Sequence, residues 1–552
     1  MRVAQSNIIK IFFLAGWGIL VLDFCSNAQD TTKRKTINIT STFKPVLKDA
    51  SKINFNAAEP PADTSKPRLT YNIPSQYLFL TYQPAALKPA ALQVDSLTAW
   101  EDFDYIKLGI GNVHQPYIQA GFSFGDRKNS FLNVFANQYS SKGSLPFQKS
   151  SLTDVALVGG WKTKNKLEWN GRLGFKSDGY YLYGYKPDTL KFTKEQLLQR
   201  FQTYEGKLSL RNTEPTAYGL NYNPNIQVSV FSDNHVPKAT EANSVLNLPL
   251  EKLINKNFSF NLGFTADLTN YRRENLPAVE NNIFYVSPVL FFKTPNFYLQ
   301  AGLTPSWDNR VFTLLPNFMA DVSTGDQRFT LQFGWIGYYN KGNYQKFESI
   351  NPWLQQPLVL LNTRVQERYA GFKGSLNNHI NYSVKAGFLE FRNMPLFVND
   401  SLDGKTFNIR YEPDLQAFQM HGEIAYTQGE QFSISALLNI NNYAGLQKEI
   451  KAWGLMPLEF KSTLRWQIVK ELWIKSDLWA FTGPPFRGKN GQDYKGTGGF
   501  DLNAGVEFRV FKQLNLWLQM NNLLNDEYER WNQYKSYGFN ILGGVVFSFG
   551  QK

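Results

Sequence analysis

The chain has 552 residues and a formal net charge of +13, and it combines an aromatic content of 15% with a mean hydropathy of only −0.36. These rings stand among Asn, Gln, Ser, Gly and Lys rather than in the long apolar runs of a soluble core. A lipid-facing β-barrel needs this mixture, because alternate residues meet lipid and lumen. Composition by itself also allows a large secreted array of β-sandwiches.

The N-terminus has the parts of a secretory signal peptide. A short basic region precedes an apolar run over residues 11–22, and Ser26 and Ala28 then supply the small residues that a signal peptidase reads. The sequence therefore predicts cleavage between Ala28 and Gln29 and a signal peptide over residues 1–28. The alternative is an uncleaved anchor, although the apolar run is shorter than the roughly 20 residues of a spanning helix.

The single cysteine, Cys25, lies inside the predicted signal peptide. Lipidation is the alternative use of Cys25, but Asp23 and Phe24 precede it where a lipoprotein signal has small residues. A mature chain that starts at Gln29 has no cysteine, which excludes disulfides and thiolate metal sites. An exported chain rarely meets nucleic acid, so we expect no nucleic-acid partner despite the basic charge.

Residues 29–102 form a Pro-rich segment without periodicity. Its prolines are too closely spaced for a regular helix or a central strand, so we expect an extended periplasmic lead-in. Two short apolar pieces, residues 43–47 and 77–80, predict docking onto the lumen or onto a partner protein. The prolines that set this expectation are Pro45, Pro60, Pro61, Pro67, Pro74, Pro84 and Pro89.

From residue 103 onward the apolar and polar residues alternate. The runs 258–268, 458–468 and 500–510 show this most clearly, and each has about the 9–12 residues that a tilted strand needs to cross a bilayer. Such a pattern predicts an all-β fold, a large antiparallel transmembrane β-barrel over residues 103–552.

Connections between these runs alternate in length. Longer polar connections, residues 184–203, 340–363 and 482–499, fall between short ones, as in bacterial barrels with short periplasmic turns and longer extracellular loops. The spacing predicts about 10–11 hairpins and hence 22 strands, with 16 to 20 as the alternatives. The short turns are expected near Lys164, Asn257, Asn296, Asp326, Asn378, Gly429, Lys470 and Lys512.

The C-terminal run has the pattern of a closing barrel strand. Its apolar residues share one face and end with Phe547 and Phe549, three residues before the last residue, Lys552. Barrel insertion machinery reads such terminal aromatic strands, so we expect Phe547 and Phe549 to form the insertion signal.

The same region resembles the last two strands of TonB-dependent receptors. Residues 521–528 (NNLLNDEY) followed by Gly538 and by residues 544–549 (GVVFSF) are similar to that family's Asn-Leu-Phe element, Tyr, Gly and closing aromatic strand, with Leu524 where Phe is usual. The resemblance implies a 22-stranded outer-membrane barrel.

The N-terminal part of the sequence differs from that of TonB-dependent receptors. Residues 29–102 lack the Gly- and Val-rich strands of that family's folded plug, whereas residues 43–53 and 105–112 are similar to plugless relatives from the Bacteroidota. TonB-driven uptake is therefore in doubt on the sequence alone.

The sequence contains no recognisable catalytic or metal-binding motif. The histidines, His114, His235, His379 and His421, are scattered, and neither a nucleophile elbow nor a phosphate loop is present. We therefore expect no enzyme activity and no cofactor.

Charged residues on the inward positions of the last strands are the candidate functional residues. They predict a charged lumen wall that selects solutes, and the alternative is a cross-strand ion-pair ladder that only stiffens the wall. These candidates are Glu459, Lys461, Arg465, Lys475, Asp477, Glu507 and Arg509.

Together these features predict an outer-membrane channel or transporter-like pore, related to receptors but without a plug. One alternative is a scaffold or accessory subunit of an outer-membrane assembly or secretion complex. Another is a TonB-coupled receptor whose plug comes from a separate protein. The expected partners are outer-membrane lipid, lipopolysaccharide, the insertion machinery, and periplasmic or outer-membrane proteins.

Overall fold

A computed structural model describes residues 104–126, 129–326, 328–376, 379–488 and 491–549, without the side chains of residues 114 and 115. The predicted signal peptide, its cleavage site at Ala28 and Gln29, and the lead-in over residues 29–102 lie outside the described residues. Within them, no helix is long and apolar enough to span a membrane.

The described chain is built almost entirely of β-strands. The first strands are β1 (Asp104–Gly111), β2 (His114–Phe124), β3 (Ser130–Lys142), β4 (Lys149–Lys162), β5 (Leu167–Tyr181), β6 (Leu198–Asn212), β7 (Leu220–Tyr222), β8 (Asn225–Asp233), β9 (Ala239–Leu253), β10 (Phe258–Arg273), β11 (Val279–Lys293), β12 (Phe297–Asp308), β13 (Val311–Ser323) and β14 (Thr330–Asn340). The rest are β15 (Thr363–Leu376), β16 (Ile380–Asn399), β17 (Phe407–Gln428), β18 (Phe432–Ala444), β19 (Leu458–Val469), β20 (Leu472–Phe481), β21 (Pro485–Arg487), β22 (Asp493–Lys495), β23 (Gly499–Phe511), β24 (Leu514–Asn521), β25 (Glu529–Trp531), β26 (Tyr534–Lys535) and β27 (Asn540–Phe549). Two short helices, α1 (Lys194–Leu197) and α2 (Tyr344–Ile350), lie in connections.

The wall closes on itself with antiparallel pairing throughout. The first and last strands, β1 and β27, pair from Asp104 opposite Phe549 to Gly111 opposite Leu542. Closure leaves no edge strand in the described wall, which is how a barrel satisfies its backbone in lipid.

The wall has 22 strands, as the sequence predicts. The continuous sheet contains 23 assigned segments, but β7 and β8 both pair with β9 and form one wall strand that is interrupted before Asn225. Pro224 stands at the interruption and has no N–H to give to the ladder. The pairs β21–β22 and β25–β26 are separate two-stranded hairpins in long connections.

The two faces of each wall strand differ as the alternation predicts. On β10, Phe260 and Leu268 are 38% and 39% exposed on the outer surface, whereas Asp267, Thr269 and Tyr271 point inward. Apolar side chains on the outside provide the surface that lipid requires.

The two ends of the barrel also differ. At one end, here called the turn end, the connections are short and include the turns expected near Lys164, Asn257, Asn296, Asp326, Gly429, Lys470 and Lys512. The turn expected near Asn378 lies outside the described residues. The long connections lie at the opposite, loop end, where the structure has residues 182–197, 341–362, 400–406, 445–457, 482–488 with 491–498, and 522–539.

Candidate functional site: the loop end of the lumen

Loop 341–362, which joins β14 to β15, carries helix α2. Asn343 caps the helix, because its side-chain oxygen accepts a hydrogen bond from the Lys346 backbone N–H at 3.3 Å. The helix stops at Ile350, since Pro352 disfavours a helical conformation for the residue before it. The sequence therefore specifies a single helical segment inside an otherwise irregular loop.

Both ends of this loop are tied to the barrel wall. The buried Lys341 ammonium contacts a side-chain oxygen of Asp267 at 3.0 Å and donates to the carbonyls of Asp267 and Asn281. The Asn281 amide donates to the Gly342 carbonyl at 2.7 Å, and the Asn362 amide donates to the Asn281 side-chain oxygen at 2.7 Å. These contacts direct the loop inward from its first and last residues.

Tyr344 anchors α2 against the inward face of the wall. Its side chain is fully buried, and its hydroxyl donates to Asp233 of β8 at 2.7 Å. Its ring meets the edges or faces of Phe201, Phe231 and Tyr271 at centroid distances of 6.3, 5.3 and 5.7 Å. Such contacts combine apolar burial with satisfied polar groups, so they hold α2 against the wall.

The start of α2 is held by a buried carboxylate. Glu241 of β9 is 1% exposed and accepts hydrogen bonds from the backbone N–H groups of Tyr344 at 2.6 Å and of Gln345 at 3.2 Å. The first amides of a helix have no partner within the helix, so a carboxylate at this position satisfies them.

Three aromatic residues from three different loops meet beyond α2. Trp353 of loop 341–362 stacks on Tyr534 of loop 522–539 with ring centroids 3.9 Å apart. Tyr183 of loop 182–197 lies 6.0 Å from Trp353 and 4.9 Å from Tyr534. We call Tyr183, Trp353 and Tyr534 the aromatic triad.

The positions of these loops on the wall show where the triad lies. In chain order around the closed ring, Tyr183 leaves the wall between the fifth and sixth strands, Trp353 between the thirteenth and fourteenth, and Tyr534 between the last two. The three origins therefore stand about a third of the ring apart, and loops from such positions can meet only across the opening.

The β16–β17 hairpin and loop 445–457 also pack into the structure that closes the lumen at the loop end. Trp531 of loop 522–539 is 4% exposed and packs at 5.3 Å against both Phe397 and Phe407 of the β16–β17 hairpin. In loop 445–457, Trp453 is fully buried, and the buried Glu412 accepts the backbone N–H groups of residues 447–449.

The sequence-predicted lumen charges lie elsewhere. They share the face of β19, β20 and β23 opposite the exposed Trp466 and Ile468, and Arg465 stands directly across from Lys475. Their role stays a prediction. These residues are Glu459, Lys461, Arg465, Lys475, Asp477, Glu507 and Arg509.

Local pairing explains part of this charged face. Lys461 contacts Glu459 at 2.8 Å, Glu459 accepts the Trp479 indole N–H at 2.9 Å, and the Arg509 guanidinium lies 4.8 Å from the centre of the Trp473 ring. Phe547 and Phe549, the predicted insertion signal, lie on the same face of β27, which pairs with β1.

The sequence does not predict the aromatic triad, because no local period marks residues that meet only after the barrel closes.

Within the described ranges, no group of three or more His, Cys, Asp or Glu side chains could hold a metal ion. The site consists instead of aromatic rings, buried carboxylates and buried cations. Such groups can bind, orient or exclude a solute.

Comparison with known proteins gives structural relatives only. No family model matches the sequence, and no curated protein matches it. Among solved structures, the FrpB iron transporter from Neisseria meningitidis is similar, with a TM-score of 0.64, 8% identity and 82% of each chain covered. The siderophore receptor PirA from Acinetobacter baumannii has a TM-score of 0.62 and 10% identity over 81% of this chain and 80% of its own.

A mutant of the ferric enterobactin receptor PfeA from Pseudomonas aeruginosa, in complex with enterobactin, also matches. Its TM-score is 0.62 at 10% identity, over 81% of both chains. At such identities the likeness concerns the fold alone, and these neighbours are transport receptors rather than enzymes. The chain therefore has the 22-stranded barrel fold of outer-membrane receptors.

Proposed function

We propose that the protein is an outer-membrane transport barrel whose lumen is gated by loop 341–362. The loop end faces the outside of the cell, as the long loops of bacterial barrels do. In this proposal the protein has no folded plug of its own, and solute passes only when loop 341–362 leaves the wall.

The meeting of the aromatic triad carries this proposal. Three loops from separate thirds of the ring are joined by ring contacts of 3.9 to 6.0 Å, so an open path along the axis requires these contacts to break. A wide barrel needs some element to restrict it, and this one is encoded in the barrel chain itself.

Conductance in planar lipid bilayers tests the proposal. Replacing residues 343–357 by a flexible Gly-Ser linker should give conductance steps that are larger and longer-lived than those of the wild-type protein. The matched control replaces residues 187–191 of loop 182–197, which are exposed and outside the triad, and should behave as the wild type. If the first variant conducts no better than the wild type, loop 341–362 is not the gate.

The second candidate function is a TonB-coupled receptor whose plug comes from another protein. The structural likeness to iron and siderophore receptors over about four-fifths of the chain favours it. Purification from the native membrane in mild detergent separates the two functions. A lone barrel supports the self-gated transporter, whereas a stoichiometric plug protein supports the receptor.

The same purification tests two untested expectations. N-terminal sequencing of the mature protein should begin at Gln29 if residues 1–28 are a cleaved signal peptide. Co-purifying subunits that are lost on deletion of residues 29–102 would support docking of the lead-in and the scaffold alternative.

A further inference from the structure

A small cavity lies beneath α2, on the side of the helix away from Tyr344. It has a volume of about 50 Å³ and is bounded by loop 341–362, the β16–β17 hairpin, loop 445–457 and loop 522–539. One water needs roughly 10–15 Å³ of such space. The cavity can therefore hold a few waters or one small ion, and it is far too small for a siderophore.

The charged residues that line the cavity are all cations. Lys341, Lys346 and Arg530 contribute to its wall, and none of its described lining residues is acidic. Lys341 is neutralised by Asp267 on the side of the barrel wall. Lys346 and Arg530 come from different loops, so the cavity collects positive charge where loops 341–362 and 522–539 meet.

Burial disfavours these charges. Burial lowers the pKa of Lys346 to about 7 and that of Arg530 to about 10, even though Asp267 and Glu459 respectively act in the opposite direction. A bound anion would offset this cost, because opposite charge close to a buried cation favours its protonated form.

Arg530 also has unused hydrogen-bonding capacity. Its guanidinium lies 4.2 Å from the centre of the Trp531 ring, and its Nη1 atom is buried without a hydrogen-bond partner in the described part of the chain. The side-chain oxygen of Asn340, also in the cavity wall, is likewise buried without a partner there. A buried unsatisfied guanidinium N–H is costly, and its planar geometry suits an oxyanion.

We propose that this cavity binds a single phosphate-sized oxyanion, with Arg530 donating to it, Lys346 balancing its charge and Asn340 accepting its protonated oxygen. Hydrogenphosphate supplies both the acceptors that Arg530 requires and the O–H that Asn340 requires. The volume restricts the occupant to a free ion rather than the phosphate of a lipopolysaccharide. The bound ion would join two of the loops that meet over the lumen.

Equilibrium dialysis of the full-length protein in detergent, with radiolabelled inorganic phosphate, tests the site. The wild type should bind about one phosphate per chain, and Arg530→Gln should weaken binding by about tenfold or more. Asn340→Asp, which sets a carboxylate against the anion without changing side-chain size, should have a similar effect. The matched control is Lys535→Gln, an exposed cation in the same loop, which should bind as the wild type.

Heat-modifiable gel migration shows that each variant contains a folded barrel. Absence of saturable phosphate binding to the wild type would overturn the proposal, as would equal binding by wild type, Arg530→Gln and Asn340→Asp. Competition by purified lipopolysaccharide with the same affinity as free phosphate would also contradict it, because the cavity excludes that ligand. The measurement needs no transport, so its failure leaves the proposed gate standing.

Discussion

The indole ring of Trp353 stacks on the ring of Tyr534, with centroids 3.9 Å apart and planes inclined by 22°. The two residues are far apart in the chain and leave the wall on different sides of the barrel. This contact therefore joins two loops across the lumen and is the shortest ring contact of the aromatic triad.

Trp353→Ala should open the lumen. Loss of a fully buried aromatic ring costs about 3–5 kcal/mol, and the loss of the half-buried Trp353 ring, although smaller, is enough to shift a closed loop toward an open population. Open probability in planar bilayers should rise well above that of the wild type, and Trp353→Phe should have a smaller effect. Trp161→Ala, which removes an exposed outward-facing indole, is the control and should leave open probability unchanged.

Closure should weaken as the pH rises from about 5.5 to 7. Burial raises the pKa of Glu348 on α2 to about 8, with the charges of Asp178 and Asp233 acting in the same direction and that of Lys176 against it. The closed state therefore keeps a proton that the open loop releases near its ordinary pKa, so higher pH favours opening.

Well below pH 7, Lys346 stays largely protonated in both states and contributes little to the slope. Open probability should rise by up to about tenfold per pH unit. Glu348→Gln should flatten this profile and keep the loop closed at pH 7. An unchanged slope in Glu348→Gln would assign the titration to another group.

Leu464→Arg should impair the barrel, because Leu464 lies at the middle of β19 on its outer face. An arginine at the bilayer midplane costs about 2–4 kcal/mol. Thr463→Arg, one residue away on the inward face, should leave the folded yield near that of the wild type. The folded yield of Phe460→Arg, which lies close to the loop end, should fall between those of Leu464→Arg and Thr463→Arg. Equal yields of Leu464→Arg and Thr463→Arg would mean that the two faces are wrongly assigned.

Changing both Phe547 and Phe549 to Ala should lower the amount of assembled barrel without blocking export. Phe547 is 46% exposed on the outer face and stands opposite Ile106 of β1 and Leu514 of β24, at the closing seam. Heat-modifiable migration measures assembly, and the control changes the outward-facing Phe388 and Phe508 to Ala. A similar loss in both double variants would point to general lipid-face packing instead of a terminal signal.

The wall of the barrel could be predicted because each strand is specified by a local sequence pattern. Alternation with a period of two, as in residues 258–268, assigns each side chain to lipid or lumen without knowledge of any distant residue. The turns follow the same local logic, and the strand count follows from their spacing. Pro224 is an exception in detail, since it divides one wall strand into β7 and β8.

The closure of the lumen was not predictable in this way. Tyr183, Trp353 and Tyr534 come together only because the wall returns to its starting point, and no spacing within a loop encodes that. Residues 340–363 did carry one local signal, the cap Asn343 and the stop Pro352, which together mark a single helical segment. The charged wall residues were placed on one face by their alternation, but alternation does not say whether they select solutes.

Locking α2 to the wall tests the central claim most directly. Ser229 of β8 donates a hydrogen bond to the Gln345 side chain of α2 at 3.1 Å, so cysteines at both positions should be joined by a short, cleavable thiol cross-linker in a Cys25→Ser background. We predict that the cross-link forms in the outer membrane and abolishes opening events in bilayers. Cleavage of the cross-link should restore these events. Efficient cross-linking that leaves conductance unchanged, or failure of the pair to react in the folded barrel, would contradict a gate formed by loop 341–362.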